Sequence, residues 1–250
     1  MNRIDIIMPN YNKADYLEEA IKSVIEQSYH EWKLYIIDDQ SNDSSSKILE
    51  KYKKKNNIEI IILNKNKGPS FCRNFGMRIS NNEYIAFIDS DDYWTVNKLK
   101  NQITYMKAKK IDMTFTDYTP FIQKKDKKLF LKKTNITKKI DLKKFYRNTS
   151  INTSTLVFKR SILGSTRFKK LEKLEDYIFK CDFLKKTDAF KFEETSAYYR
   201  ILSQGRSGNK FKNLWYLWKL NKNYNKLNLI DNLISILLVS YNSFKKYGFK

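Results

Sequence analysis

The amino-acid sequence predicts an α/β protein: a largely parallel central sheet with helices on both faces, closed by a helical C-terminal tail. Three observations predict it. Over the first hundred residues, short apolar runs alternate with helical patterns, as in successive strand–helix–strand units. Each apolar run in that region ends in a polar segment, as expected where strands open onto a ligand-binding edge. The stretch from about 210 to 246 then abandons strand patterning for two aromatic, lysine-rich helical segments.

The elements follow in order. "IDIIM" (4–8) reads as a strand, and "ADYLEEAIKSVIEQ" (14–27) as an amphipathic helix with Leu17, Ala20, Ile21, Val24 and Ile25 on one face. "KLYII" (33–37) is a second strand. The polar loop Ser41 to Ser46 can cap a helix running to about Lys55. "IEIIIL" (58–63) is a third strand, Pro69 to Ile79 a helix, and "EYIAFI" (83–88) a fourth strand. A helix is expected from Val96 to about Lys109, then a strand at "DMTFTDY" (112–118). Residues 123–144 read as a lysine-rich hairpin or loop interrupting the core. "TSTLVFK" (153–159) is a further strand, "LEDYIFKCDFLKK" (174–186) a helix, and "AFKFEETSAYYR" (189–200) an edge strand or pair. "SQGRSGN" (203–209) reads as a glycine-containing hinge, followed by helices at about 210–226 and 229–246.

Composition narrows the function classes. A chain of 250 residues with 41% hydrophobic and 15% aromatic content can bury a substantial core. The formal net charge of +22 invites a nucleic-acid or anionic-membrane reading. Lysine far outnumbers arginine, however, and Asn and Ile are abundant, so a compositional bias is an equal explanation. Cys72 and Cys181 show neither metal spacing nor a disulfide framework, which favours a reducing compartment. No signal-peptide pattern opens the chain, and no apolar run is long enough to cross a bilayer. These features lead us to expect a cytoplasmic protein, with possible peripheral contact to the inner face of an anionic membrane and no nucleic-acid partner.

Four polar segments follow the first four strands: "PNYN" (9–12), "DD" (38–39), "NKNKG" (64–68) and "DSDD" (89–92). In the last, Asp89 and Asp91 project to the same side of an extended segment. Mg²⁺ and Mn²⁺ prefer oxygen ligands and commonly use one or two carboxylates plus nucleotide phosphates, which suits an Asp-x-Asp at a strand end. The alternative is that Asp91 or Asp92 only caps the following helix. No P-loop, dinucleotide fingerprint or nucleophile elbow is present, and His30 is the single histidine. A general base must therefore come from a carboxylate.

The block "IIMPNYNKADYLEEAIKSVIEQSYHEWKLYIIDDQSNDSS" closely resembles the opening of family-2 glycosyltransferases of the GT-A fold. "NKGPSFCRNFGMRISNNEYIAFIDSDDYWTVNKLKNQI" resembles that family's second block, with its D-x-D and the W-x-x-x-K-L-x-x-Q pattern. The likeness covers about residues 3–103, resumes at 152–184 and is fainter at 198–207. It implies a Rossmann-like mixed central sheet: a nucleotide-sugar-binding half (1–110), an acceptor-binding half (111–207) and a helical tail (208–250). It also implies transfer of a hexose or N-acetylhexosamine from a UDP-sugar to a hydroxyl of a glycan or glycolipid in cell-envelope synthesis, of the lipopolysaccharide type, with Mn²⁺ or Mg²⁺.

The resemblance assigns roles to positions of this chain. Pro9, Tyr11 and Asn12 match the loop that holds uracil, with ordinary loop packing the alternative for Tyr11. Asp38 and Asp39 match the second loop, Asp39 being the favoured base or ribose contact. Lys67, Gly68 and Arg73 match the third. There Gly68 permits close backbone approach, and Arg73 meets the pyrophosphate or donor sugar unless it pairs with a carboxylate at the core edge. Asp89 and Ser90 fall with the nucleotide-sugar contacts, Asp91 with Asp89 at the metal, and Asp92 behind them. In "LEDY", Asp176 matches the base that deprotonates the acceptor, giving inversion, while Glu175 and Trp94 orient the acceptor. Helix stabilisation by acidic residues is the plain alternative for 175–176. One departure is Leu202, where many relatives carry a metal- or pyrophosphate-binding histidine; Arg206 is a candidate source of positive charge there. The rival readings are a nucleotidyltransferase, which shares sheet and metal but not the E-D pair, and a non-catalytic basic protein.

Overall fold

A computed structural model describes residues 3–124, 127–202 and 210–247. The first half follows β1 (Ile4–Asn10), α1 (Ala14–Ile25), β2 (Trp32–Asp38), α2 (Ser45–Glu50), β3 (Ile58–Ile62), α3 (Pro69–Ile79) and β4 (Tyr84–Phe87). The strands pair in parallel in the order β3-β2-β1-β4. Every residue of β1 is buried, as befits a central strand covered on both faces. Its one acid, Asp5, is satisfied by the backbone and side-chain amides of Asn82 (2.6 and 2.7 Å) and by Arg160 (3.1 Å). α2 stops short of Lys55: "KYKKK" (51–55) places four lysines together, and the chain leaves the helix there as turns.

The second half makes the sheet mixed. β5 (Tyr93–Trp94), α4 (Lys98–Lys109), β6 (Met113–Lys124), β7 (Lys127–Phe130), β8 (Lys139–Ile140), α5 (Leu142–Asn148), β9 (Val157–Lys159), α6 (Glu175–Leu184) and β10 (Ala189–Arg200) complete it. β9 is inserted antiparallel between β4 and β6, so two parallel blocks meet across one reversed strand. β10 is not an edge. It runs parallel to β6 on one side and pairs with β5 and β8 on the other. Its one lysine, Lys191, is buried and paired with Asp117 at 3.0 Å. The stretch expected to interrupt the core contributes to it, burying Ile136 and Ile140. α7 (Lys210–Asn223) and α8 (Leu229–Tyr247) form the tail, and among the described residues no helix is long and apolar enough to cross a membrane.

Two packing features set the positions of the functional loops. An aromatic cluster joins β4, β9 and α6: Phe168 stacks on Phe179 at 3.8 Å, and Phe87 meets both rings edge-on at 5.4 and 5.8 Å. That cluster fixes where α6 begins. On the other side, α3 lies so close to β1 that a Cβ on Gly76 would meet Ile7 Cγ2 at 2.5 Å. Gly76→Ala should therefore destabilise the protein by about 1–3 kcal/mol. Denaturant titration should show that Ile7→Ala, which removes the opposing atoms, makes the double variant less destabilised than the sum of the singles.

Candidate functional site

The turn after β4 gathers three carboxylates within four residues, and each is met by a group from a different part of the fold. Asp89 Oδ1 accepts from Arg73 of α3 at 2.5 Å. Asp91 Oδ2 is paired with Lys13, from the loop between β1 and α1, at 2.8 Å. Asp92 is buried; it accepts from the Ser154 hydroxyl (2.6 Å) and the Arg200 backbone N–H (3.0 Å). Burial, and then its two acidic neighbours, push the Asp92 carboxyl well above the usual range. Burial also raises Asp91, against the pull of Lys13. Arg200 closes the back of the turn, donating through Nε to the Asp91 carbonyl (2.9 Å) and through its terminal nitrogens to Gln123 and Glu19.

Ser154 is the hinge of this arrangement. Its hydroxyl also accepts from the Asp89 N–H at 3.1 Å, and Asn152 caps its own N–H at 2.7 Å. The W-x-x-x-K-L-x-x-Q pattern explains its rigidity. Trp94 Nε1 donates to the Ser154 carbonyl (2.7 Å), Gln102 donates to the Thr155 carbonyl (3.1 Å), and Lys98 donates to Gln102 (2.6 Å) with its ammonium 4.3 Å from the Trp94 ring. Trp94 is therefore a buried clamp, not a surface that orients an acceptor. Ser90 is likewise buried.

The strand-end loops are knitted to one another. Asp38 accepts from Asn10 Nδ2 (2.6 Å) and from Ser41 through both backbone and hydroxyl (2.8 Å each). Asp39, also buried, takes the Lys67 and Gly68 N–H groups at 2.7 and 2.8 Å, one on each oxygen. Asn12 adopts φ +50°, tolerable for Asn, and ties the first loop to the second through Ser41 and Asn42. Pro9 lies buried at the end of β1, whereas the Tyr11 ring is 46% exposed. Gly68 has φ +85° with open space where a Cβ would lie, a backbone conformation that favours glycine. The Lys67 ammonium rests over the Phe71 ring at 4.2 Å.

The acidic pair at the start of α6 completes the site. Glu175 is buried and lies 3.7 Å from the Arg73 guanidinium, so Arg73 is shared between Asp89 and Glu175. Its two terminal nitrogens face carboxylates, the pairing given above as the alternative for it, while Nε has no hydrogen-bond partner among the described residues. Asp176 is the outward member of the pair. Burial would raise its carboxyl, but the Lys180 ammonium at 2.7 Å, one helical turn on, more than offsets this and holds it below the usual range. Asp89 and Asp176 line one cavity of about 230 Å³, with Tyr118, Tyr199 and the 149–153 segment as its other walls. Leu202 lies within the described residues; Arg206 and the expected hinge lie outside them.

Sequence reading missed Lys13, Ser154, Lys180 and Arg200. Lys13 and Lys180 carry a signal only in retrospect: each is a lysine beside an acidic site, in a chain where lysine is the commonplace cation. Among the described residues no group of three or more His, Cys, Asp or Glu side chains is placed to hold a metal. Asp89 and Asp91 nonetheless suit Mg²⁺ or Mn²⁺, which need few protein oxygens when phosphates and water complete the shell. Asp91 is here paired with the Lys13 ammonium.

Lys98 offers a test of the clamp. It is fully buried, and burial lowers its ammonium to about 7 from 10.5. In the window between these values the unfolded chain binds the extra proton, so the lysine's contribution to stability rises with pH. The difference in unfolding free energy between wild type and Lys98→Met should be flat below pH about 7. Above that it should climb by at most about 1.4 kcal/mol per pH unit, read by denaturant titration.

Comparison with known proteins places this geometry. The family model described as glycosyl transferase family 2 matches residues 5–166. A Haemophilus influenzae protein described as an uncharacterized glycosyltransferase is 32% identical over 250 residues, spanning 99% of this chain and 98% of its own. Escherichia coli WfgD, described as a UDP-Glc:alpha-D-GlcNAc-diphosphoundecaprenol beta-1,3-glucosyltransferase, is 30% identical over 251 residues, 98% of this chain and 95% of its own. Among solved structures, Staphylococcus aureus TarS 1-349 in complex with UDP-GlcNAc matches with a TM-score of 0.72 at 18% identity, covering 97% of this chain and 73% of that one.

Proposed function

The chain belongs to glycosyl transferase family 2 and has the GT-A fold, and from that premise we propose that it is an inverting, UDP-sugar-dependent enzyme with Asp176 as general base. The observation that carries this reading is the shared cavity, lined by both Asp89 from the turn after β4 and Asp176 from α6. Family membership removes the nucleotidyltransferase and the non-catalytic basic protein from consideration.

On this reading the donor lies across the strand ends. Tyr11 supplies an exposed ring against which uracil stacks. Pro9, Asn12, Asp38 and Asp39 shape the loops beneath, and the Lys67 and Gly68 backbone borders the nucleotide. Asp89 meets ribose or sugar hydroxyls. Asp91, with Asp89, would hold Mn²⁺ or Mg²⁺, whose charge would offset that developing on the diphosphate. The Asp176 carboxylate takes the proton of the acceptor hydroxyl; that oxygen attacks the anomeric carbon from the face opposite the diphosphate. The bond to UDP breaks, UDP departs with the electron pair, and the configuration inverts. Lys180 keeps Asp176 ionised and aimed, and Glu175, held by Arg73, fixes the start of the helix that carries it.

The names of two similar proteins support the substrate classes. WfgD is named for a UDP-glucose donor and a diphosphoundecaprenol-linked acceptor, and TarS binds UDP-GlcNAc. We therefore assign the transferred group to the hexose or N-acetylhexosamine class and the acceptor to a lipid-linked glycan of the cell envelope.

Asp176→Asn should lower kcat by about 10²–10⁴-fold, the usual contribution of a general base, in a UDP-release assay. UDP-sugar affinity by calorimetry should stay within about threefold, a difference of under 1 kcal/mol. A larger loss of donor affinity would move Asp176 from the acceptor to the donor. Lys180→Met removes the charge that holds the Asp176 carboxyl down, so the acidic limb of the kcat/KM profile should move to higher pH. An unmoved limb would exclude Asp176 as the titrating base.

Lys13→Met tests the cation site without turnover. Losing a partly exposed ammonium that competes for Asp91 should tighten Mn²⁺ binding in the presence of UDP. The expected gain is about 1 kcal/mol, or roughly fivefold, by calorimetry.

A further inference from the structure

The tail carries a helix with an open apolar stripe and a mixed inner face, where Ile236 and Val239 pack on the core beside polar groups. α8 turns its polar side chains inward: buried Asn232 donates to the Trp218 carbonyl (3.1 Å), buried Ser235 donates to the Tyr146 carbonyl (2.5 Å), and Asn242 donates to the Arg147 carbonyl (3.3 Å). The opposite face is apolar and open. Ile230 is 70% exposed, Leu233 47%, Leu237 68% and Tyr241 60%. Spaced three and four residues apart, they form one stripe about 17 Å long. A surface helix bathed only in water keeps charged and polar groups on its outer face, and a contiguous exposed apolar stripe marks an interaction surface.

Charge selects the occupant. Residues 210–250 contain eight lysines and a single acid, Asp231, within a chain of net charge +22. A second copy would bring two such tails together against their mutual repulsion. An anionic lipid surface instead attracts each lysine near it by about 1 kcal/mol. α7 adds exposed Phe211 and Trp215, aromatic side chains suited to a lipid–water boundary.

We infer that α8 is a membrane-surface helix that lays this chain on an anionic lipid bilayer, its apolar stripe at the acyl boundary and the tail lysines at the phosphates. The placement is functional. α8 packs on α5, and α5 ends at Asn148, directly before the 149–153 wall of the Asp89–Asp176 cavity. The benefit of such docking, presentation of a lipid-linked acceptor to that cavity, rests on the function proposed above; the docking itself does not.

The test is flotation of the full chain with phosphatidylcholine vesicles, with and without phosphatidylglycerol, at low and high salt. The chain should float only with the anionic vesicles, and less at high salt. Leu233→Glu/Leu237→Glu should cut the bound fraction about tenfold or more, as expected when buried apolar groups are replaced by acids. Both side chains are exposed, so the unfolding temperature should hold. Absence of flotation by the wild type, or equal flotation by the variant, would overturn the inference. So would a wild-type dimer in solution that the double substitution dissociates. Sugar transfer to a water-soluble acceptor should be equal in wild type and variant. That readout separates failure of docking from failure of the proposed reaction.

Discussion

The structure depends on the neutralisation of three crowded carboxylates at the end of β4. Placed as they are, Asp89, Asp91 and Asp92 repel one another unless each has its own counter-group. Arg73 arrives from α3, Lys13 from the loop before α1, Ser154 from the turn before β9, and the Arg200 N–H from the end of β10. Arg73 lies 16 residues from Asp89, but Ser154 and Arg200 lie 62 and 108 residues from Asp92, so the full set of partners meets only when both halves of the sheet have assembled. The cost of crowding charge is offset by convergence, and that convergence gives the site its shape.

Arg73 extends the coupling. A buried guanidinium shared between Asp89 and Glu175 ties the turn after β4 to the first turn of α6. Its own charge is reinforced by those carboxylates despite the cost of burial. Asp176 follows Glu175 directly, so the candidate base is held at a set distance from the candidate cation site by one side chain. The aromatic cluster of Phe87, Phe168 and Phe179 holds the same two elements from behind. Packing and electrostatics thus act on the same pair of segments, and those segments flank the cavity.

Much of the nucleotide half was legible in the sequence. Strands β1 to β4 and helices α1 and α3 follow from periodicity, because parallel strands buried on both faces read as continuous apolar runs. The polar loops at their ends were legible for the same reason: a carboxylate pair such as Asp38–Asp39 after a buried strand has to meet donors. The second half was harder to read. β5 and β8 are two residues each and have no period to detect. β10 carries Lys191, Glu193 and Glu194 and looked like an edge, although its lysine is neutralised inside the sheet by Asp117. The family resemblance implied an acceptor-orienting role for Trp94. It is a clamp, because its indole N–H has a buried carbonyl to satisfy at Ser154.

The sequence alone determined which residue types stand at the strand ends: the acids at 38–39, 89–92 and 175–176, the exposed-loop Tyr11, and the order of segments that brings them to one edge of a sheet. Those are consequences of local pattern, and local pattern is written in the chain. Only the tertiary structure decided how they are used. It made Asp92 a buried brace and left Asp176 facing the cavity, because partner groups distant in sequence occupy some carboxylates and not others. It paired Arg73 with Asp89 and Glu175, and it set the apolar face of α8 outward, since Asn232, Ser235 and Asn242 find backbone carbonyls within. Burial and pairing are properties of the assembled fold, and they separate a charge that supports from a charge that acts.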